Sequence, residues 1–359
     1  MVSFISILAL LVAAVVVTPA YSTWWWLTKV IITEHAHWLG ALSLCLLLTL
    51  RPNFFPDGLI LLVSSFVMFI PFATVIHQEM KSESGFSLTS VLSLAPQKRG
   101  SVQNLEFQNQ GSSLPIDFYP ARNLGRDETA PLVIVIHGGG WTNGSRKDLP
   151  ELNYFLAENG FNVAAISYRL VPSTTFPGPL EDVASATKFI LNQSESLKID
   201  PSKIFFLGRS AGGQLASLAS MKLRAENFQI RGVIALYSPF DLIWGYENTR
   251  SWHIINGKES IGAYLGEPLS AKSQSIYQAA SPLFAASAAT PPHLLIHGIR
   301  DDLVSIHHTR VFAQRLQELG CQIDKVELGW ASHGFDYFFN SPHTRYIRKK
   351  ILLFLGSKV

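Results

Sequence analysis

The chain is poor in cysteine and in charge. Two cysteines occur in 359 residues, Cys45 in an apolar run and Cys321 alone in the remainder, so no disulfide can form within residues 101–359. That usage suits the cytosol without excluding an exported domain. Charged residues make up 15% of the chain against 48% hydrophobic, which excludes a disordered or polyelectrolyte protein. A formal net charge of +3, with Lys and Arg dispersed, leaves no basic footprint and predicts no nucleic-acid partner. The scarcity is uneven. Residues 1–80 hold two basic side chains (Lys29, Arg51) and three acidic ones (Glu34, Asp57, Glu79), and no charge precedes Lys29. The other 27 basic and 23 acidic groups fall in the remaining 279 residues. An oily front end therefore precedes an ordinary soluble-looking body. No internal repeat or low-complexity tract is present.

The front end contains three apolar runs, at 1–20, roughly 36–50 and 58–76. The first is long enough to cross about 30 Å of hydrocarbon, the second is short unless its flanks lengthen it, and the third holds Pro71, which a membrane helix tolerates. Trp24, Trp25 and Trp26 follow the first run, where an aromatic belt would meet the headgroups. The pattern predicts a membrane anchor over 1–80 with three transmembrane helices, a multi-pass membrane location and the bilayer as a partner. The alternative is a cleaved leader followed by buried core helices. Thr18-Pro19-Ala20 loosely resembles a cleavage site, but a basic n-region is missing. Lys81, Lys98 and Arg99 weigh mildly towards a cytoplasmic body, and the loops carry too few Lys and Arg to orient the anchor.

Residues 81–100 read as a linker. From 101 to 359 short apolar strands alternate with amphipathic helices. Strands are expected at 102–108, 114–119, 132–136, 161–168, 203–207, 232–237, 294–296 and 325–328. A helix is expected with Leu149, Leu152, Phe155 and Leu156 on one face and an end at Asn159-Gly160, and others at 180–192, 211–224, 309–319 and 346–355. That alternation predicts the α/β class, with a mostly parallel central sheet covered by helices on both faces. Residues 241–290, with Trp244, Tyr246, Trp252, Tyr264 and Tyr277, interrupt the rhythm and read as a cap, or as an excursion over a sheet edge.

Ser210 is the strongest chemical signal. The strand Phe205-Phe206-Leu207 leads into Gly208-Arg209-Ser210-Ala211-Gly212-Gly213 and then a helix. Small residues at 208 and 212 let the chain turn sharply and lift a serine hydroxyl above the sheet edge. His137-Gly138-Gly139-Gly140-Trp141 follows the strand at 132–136. Its glycines let backbone N–H groups approach a substrate, and with the Ala211 N–H they can receive a developing oxyanion. Ala211 is the firmer assignment, and the spacing does not choose among Gly138, Gly139 and Gly140. The run lacks the lysine and hydroxyl of a phosphate-binding loop. His137 itself is read as ordering the loop.

A serine needs a base, and eleven histidines compete. His35, His37 and His77 belong to the front end, His253 to the cap, and His307 and His308 open a helix. His333, in a loop past the strand at 325–328, can reach back to Ser210. The base needs a carboxylate, and Asp301 and Asp302 both lie at the end of the strand at 294–296. Adjacent side chains in such a turn point apart, so one reaches His333 and the other does not. The chain order serine, aspartate, histidine is that of the α/β-hydrolases. His307 and His308 cluster with Asp301 and Asp302, but without a His-Glu-x-x-His pattern, so no metal site and no cofactor are expected.

Taken together, these motifs resemble the α/β-hydrolase superfamily, and within it the hormone-sensitive-lipase-like and related carboxylesterases. The resemblance covers about residues 105–355. It rests on His137-Gly138-Gly139-Gly140-Trp141, Ser167-Tyr168-Arg169-Leu170, Phe176-Pro177 with Glu181-Asp182, and Gly208-Arg209-Ser210-Ala211-Gly212-Gly213. Ser281-Pro282-Leu283, His297-Gly298 with Asp301 and Val304, and Ser332-His333-Gly334 complete it. It implies Ser210 as nucleophile, His333 as base and Asp301, the third residue after the glycine, as acid. It also implies oxyanion donors from Gly139, Gly140 and Ala211, and ester hydrolysis through an acyl-enzyme. Two departures stand out. Arg209 precedes the serine where the family often has Asp or His, and most members lack such a front end.

The expected activity is that of a serine carboxylesterase on a small-molecule or lipid ester, with an apolar or lipid-derived ester favoured by the aromatic residues at 240–280 and the bilayer. A peptidase or an acyltransferase of the same fold would use the same triad. A catalytically silent membrane receptor or scaffold is the non-enzyme alternative, disfavoured by the joint presence of the triad types and the glycine loop.

Overall fold

A computed structural model describes residues 2–50, 54–81, 97–122, 124–125, 127–249 and 256–359. Arg51, most of the expected linker (82–96), Trp252 and His253 lie outside the described residues.

The apolar strands are buried on both faces, and their period-two alternation divides them between two cores. Leu132, Ile134 and Ile136 of β3 (Ala130–Ile136) face one cluster, with Phe206 and Val233. Val133 and Val135 face the other, with Phe205, Leu207 and Ile234. Helices α5 (Gly178–Leu191) and α6 (Ala211–Ala225) cover the first face, through Val183, Ile190, Leu215 and Leu223. Helices α4 (Glu151–Glu158) and α12 (Pro342–Gly356) cover the second, through Leu156, Ile347 and Ile351.

The remaining strands are β1 (Gln103–Asn109), β2 (Ser112–Tyr119), β4 (Asn162–Ile166), β5 (Ile199–Arg209), β6 (Ile230–Leu236), β7 (His293–Gly298) and β8 (Ile323–Leu328). They form one eight-stranded sheet in the order β1-β2-β4-β3-β5-β6-β7-β8. Strand β2 pairs antiparallel with β1 and β4, and all the others are parallel. This is the α/β-hydrolase topology. Because β3, β5, β6, β7 and β8 point the same way, the residues that follow them collect along one sheet edge, where such sheets place their sites. The strand expected at 203–207 extends to Ile199 and Arg209, whereas the one expected at 161–168 covers only Asn162–Ile166. Leu149, expected on a helix, precedes α4 with φ at 49°.

Between β6 and β7 lie α7 (Leu242–Asn248), α8 (Gly257–Leu265), α9 (Gln274–Ala279) and α10 (Pro282–Ala285). Helix α11 (His307–Glu318) follows β7.

The front end is helical: α1 (Val2–Val17), α2 (Thr23–Leu50), a π-helical turn at Phe54–Gly58, and α3 (Leu59–Met80). By length and composition Thr23–Leu50 and Pro56–Met80 could cross a membrane, and α1 is shorter. The run read at 36–50 is thus the second part of a helix that begins at residue 23. Lys29 and Glu34 interrupt the apolar pattern without breaking the helix, because both are buried against the body and paired there, with Asp302 and His343. The three tryptophans read as a headgroup belt lie in the first turn of α2. Trp24 is exposed, while Trp26 reaches the body. Among the described residues the front end exposes Leu8, Leu11, Leu42, Leu48, Leu62 and Phe66.

Two buried histidines set a pH dependence. His293 at the start of β7 is pushed down to about 4, and His308 in α11 to about 3, in both cases mainly by burial. A histidine whose folded value lies below its ordinary 6.5 stabilises the fold fully above that value, and the stabilisation is lost as pH falls, because the unfolded chain takes up the proton first. The melting temperature should therefore fall between about pH 6.5 and about pH 4. His308→Gln, which can still accept from the Asp241 N–H that His308 Nδ1 accepts at 3.3 Å, should show a shallower decline in the same thermal scans.

Candidate active site

Strand β5 ends at Arg209 and α6 begins at Ala211, leaving Ser210 alone at the turn with φ 52° and ψ −123°. A non-glycine residue at positive φ is strained and persists only where its surroundings enforce it. Here they do. A Cβ on Gly208 would lie 2.2 Å from the Gly212 carbonyl oxygen, and one on Gly212 would lie 2.3 Å from those of Ile136 and His137. Only glycine permits this crossing of β5, α6 and the end of β3. The Ser210 N–H is tied to the Leu236 carbonyl at 2.9 Å.

Past β3, the chain turns through Gly139 (φ 114°) and Gly140 (φ 58°). A Cβ on Gly139 would meet the Asn143 carbonyl oxygen at 2.1 Å. The N–H groups of Gly139, Gly140 and Ala211 have no acceptor among the described residues. These residues lie beside Ser210 in the walls of the adjoining cavities. His137 stacks on Tyr168 at 4.3 Å, its Nδ1 lies 2.7 Å from the Gly138 carbonyl, and burial pushes its pKa down. Trp141 ties the loop to α8 by stacking on Tyr264 at 4.3 Å, and to α6 by donating from Nε1 to Gln214 at 3.0 Å.

His333 Nε2 lies 3.1 Å from Ser210 Oγ, and its Nδ1 lies 2.7 Å from Asp301 Oδ2. Asp301 is fully buried at the side chain, and its carboxylate is saturated. Oδ2 also meets His297 Nε2 at 3.1 Å, while Oδ1 accepts from the N–H groups of Leu303 and Val304. Burial works against its ionisation, but His333 and His297 outweigh burial and hold the carboxyl well below the usual range. Asp302 points the other way. It accepts from the Ala20 N–H at 3.1 Å and pairs with Lys29 at 2.5 Å.

Ser210, Asp301 and His333 are thus brought together, and Gly139, Gly140 and Ala211 border the serine. His307 stacks on Trp244, away from the triad. Sequence reasoning missed three partners: His297 behind Asp301, Lys29 on Asp302, and Asp336 on Arg209. The signals were present. Lys29 is the first charge in an oily segment, and Arg209 is a cation at the end of an apolar strand. Either one, once buried, needs a carboxylate.

Two cavities meet at Ser210. One, of about 400 Å³, is lined by Trp141, Trp244, Ile261, Leu303 and Val304, with Pro19, Ala20 and Tyr21 from the turn between α1 and α2. The other, of about 620 Å³, is lined by the glycine loop, Arg209, Tyr237, His333 and Tyr337, with Thr23 and Trp26 from α2.

Arg209 Nε donates to Asp336 Oδ2 at 2.6 Å, and the Tyr237 hydroxyl donates to Oδ1 at 2.5 Å. Burial alone would lower the Arg209 pKa, but Asp336 outweighs it and keeps the guanidinium charged. Burial and the adjacent Asp336 push the Tyr237 hydroxyl well up. The pair holds the residue beside Ser210 to the segment that follows His333. Arg209→Met should lower unfolding stability by about 3–5 kcal/mol, because it strands a buried carboxylate. Adding Asp336→Asn, which keeps an acceptor for Tyr237, should recover part of that loss in the same denaturation measurement.

Residues 116–316 match the family model described as BD-FAE. Among curated proteins, the chain is 28% identical over 244 residues to a probable carboxylic ester hydrolase, LipM, of Mycobacterium tuberculosis, covering 65% of this chain and 56% of that one. It is 27% identical over 246 residues to the isoprenylcysteine alpha-carbonyl methylesterase ICME of Arabidopsis thaliana, covering 63% of this chain and 55% of that one. The chain thus spans a little over half the length of these curated relatives. Among solved structures, a hyperthermophilic esterase from the archaeon Pyrobaculum calidifontis superimposes with a TM-score of 0.63 at 26% identity, covering 79% of this chain and 93% of that one. The family match takes in more than half of the sequence, including the glycine loop and Ser210, and the chain belongs to the BD-FAE family.

Proposed function

We propose that this chain is a serine hydrolase that cleaves carboxylic esters through an acyl-enzyme. The observation that carries the reading is the continuous hydrogen-bonded line from Ser210 Oγ through His333 to the buried Asp301 carboxylate, at 3.1 and 2.7 Å. Ser210 Oγ attacks the ester carbonyl while His333 Nε2 takes its proton. Asp301 keeps the Nδ1 proton in place and stabilises the imidazolium. The oxygen that becomes negative is received by the N–H groups of Gly139, Gly140 and Ala211. His333 then gives its proton to the departing alcohol as the ester C–O bond breaks. Water, deprotonated by the same histidine, releases the acid and regenerates Ser210.

The substrate we infer is an apolar or lipid-derived ester. The aromatic and aliphatic lining of the smaller cavity supports it, as do the long apolar helices beside it. One relative is named for an isoprenylcysteine methyl ester, in which the ester accompanies an apolar chain. In this reading residues 1–80 are a multi-pass membrane anchor, 81–100 a linker and 101–359 the hydrolase domain, with 241–290 as its cap. The glycine loop and the turn at Ser210 support a reading nearest the hormone-sensitive-lipase-like and related carboxylesterases, with Arg209 as its departure.

The test is labelling of the membrane-bound protein with an organophosphonate probe, followed by a panel of esters of increasing chain length. Wild type should be labelled and Ser210→Ala should not. Labelling retained in Ser210→Ala would sink the assignment, and activity confined to short water-soluble esters would sink the lipid reading. Asp301→Asn should lower kcat by about 10⁴ while the fold persists, because the amide no longer enforces the imidazole tautomer.

A further inference from the structure

The start of α2 and the turn before it are bonded to both loops that carry the acid and the base. On the acid side, the Ala20 N–H and Lys29 Nζ both reach Asp302 Oδ2. Arg300 Nη1, from the same loop, donates to the Val17 carbonyl at 3.1 Å. On the base side, Trp26 Nε1 donates to the His333 carbonyl at 3.0 Å, and its ring meets Tyr337 edge-on at 6.0 Å. The side chain of Lys29 is 2% exposed. Its ammonium is thus committed to Asp302, the immediate neighbour of Asp301. Loops at strand ends are the mobile parts of this kind of sheet unless something holds them. Here a displacement of Asp302 moves the carboxylate that orients His333, and a displacement of the His333 backbone moves the base itself.

We propose that the α1–α2 hairpin is part of the catalytic apparatus, with Lys29 a positioning residue for the acid loop and Trp26 a positioning residue for the base loop. The proposal rests on the hydrolase reading above and adds that the front end does more than anchor. Neither side chain touches the reacting atoms. Each acts through the geometry of Asp301 and His333.

The test uses the full-length protein in detergent micelles. Lys29→Met should lower kcat by about tenfold to a hundredfold, the scale of a small misplacement of catalytic groups. KM should stay within about twofold, because binding is not what is lost. The rate of organophosphonate labelling should fall in parallel with kcat. Lys29→Arg, which can still pair with Asp302, should keep most of the activity. Trp26→Phe keeps an aromatic ring in the cavity wall but removes the Nε1 donor to the His333 carbonyl, and should lower kcat and the labelling rate together several-fold. Glu79→Gln is the control: it breaks an ion pair of the same kind, to Lys349, between α3 and α12. It should leave kcat near wild type.

Wild-type kcat and labelling rate in both Lys29→Met and Trp26→Phe would overturn the proposal. So would a loss in Glu79→Gln equal to that in Lys29→Met. If Lys29→Met does not fold, Trp26→Phe decides alone, and wild-type kcat there overturns it. A wild-type protein that hydrolyses no ester would instead strike the hydrolase reading, so the two failures are told apart.

Discussion

A charge withdrawn from water has to be met by an opposite charge, and two such pairings hold this site together. Lys29, in the first turns of a mostly apolar helix, meets Asp302. Arg209, at the end of a central strand, meets Asp336. The first pairing joins the N-terminal helices to the loop after β7. The second joins the turn at Ser210 to the segment after His333. Breaking either one strands a partner inside the protein, which costs several kcal/mol. Each therefore adds a charged tie between a loop of the site and a second part of the chain.

The same logic explains two aspartates in succession at the end of β7. Their side chains diverge, so one peptide unit serves two tasks. Asp301 collects His333, His297 and two backbone N–H groups, and this set of donors keeps it ionised despite complete burial. Asp302 holds the front end. The strain at Ser210 is enforced from the opposite side, where close backbone approaches at Gly208 and Gly212 leave no room for the turn to relax. Ser210, Asp301 and His333 are thus placed by rigid strand ends and by paired charges, with the two cavities meeting at Ser210.

Much of this was legible in the sequence because the relevant signals are local. Apolar β-branched runs between helical periods identify parallel strands, and a serine between glycines after such a strand identifies the sharp strand-to-helix turn at Ser210. Asp301 and Asp302 were equivalent by spacing, and only the family pattern separated them. Partners set by long-range folding were not legible. Lys29 and Asp302 are 273 positions apart, and Arg209 and Asp336 are 127 apart. Hydropathy also misplaced the start of α2, because it counts Lys29 and Glu34 as polar interruptions, whereas in the fold each is buried against a partner from the body.

The central claim is that Ser210 becomes acylated during ester cleavage. The direct measurement is acid-quenched mass spectrometry of the full-length protein, milliseconds after mixing with an activated ester, followed by peptide mapping. The account predicts a mass increase of one acyl group on the peptide containing Ser210, formed before steady turnover and absent from Ser210→Ala. Ester turnover with no such adduct on the wild type, or with the acyl group on another residue, would contradict it.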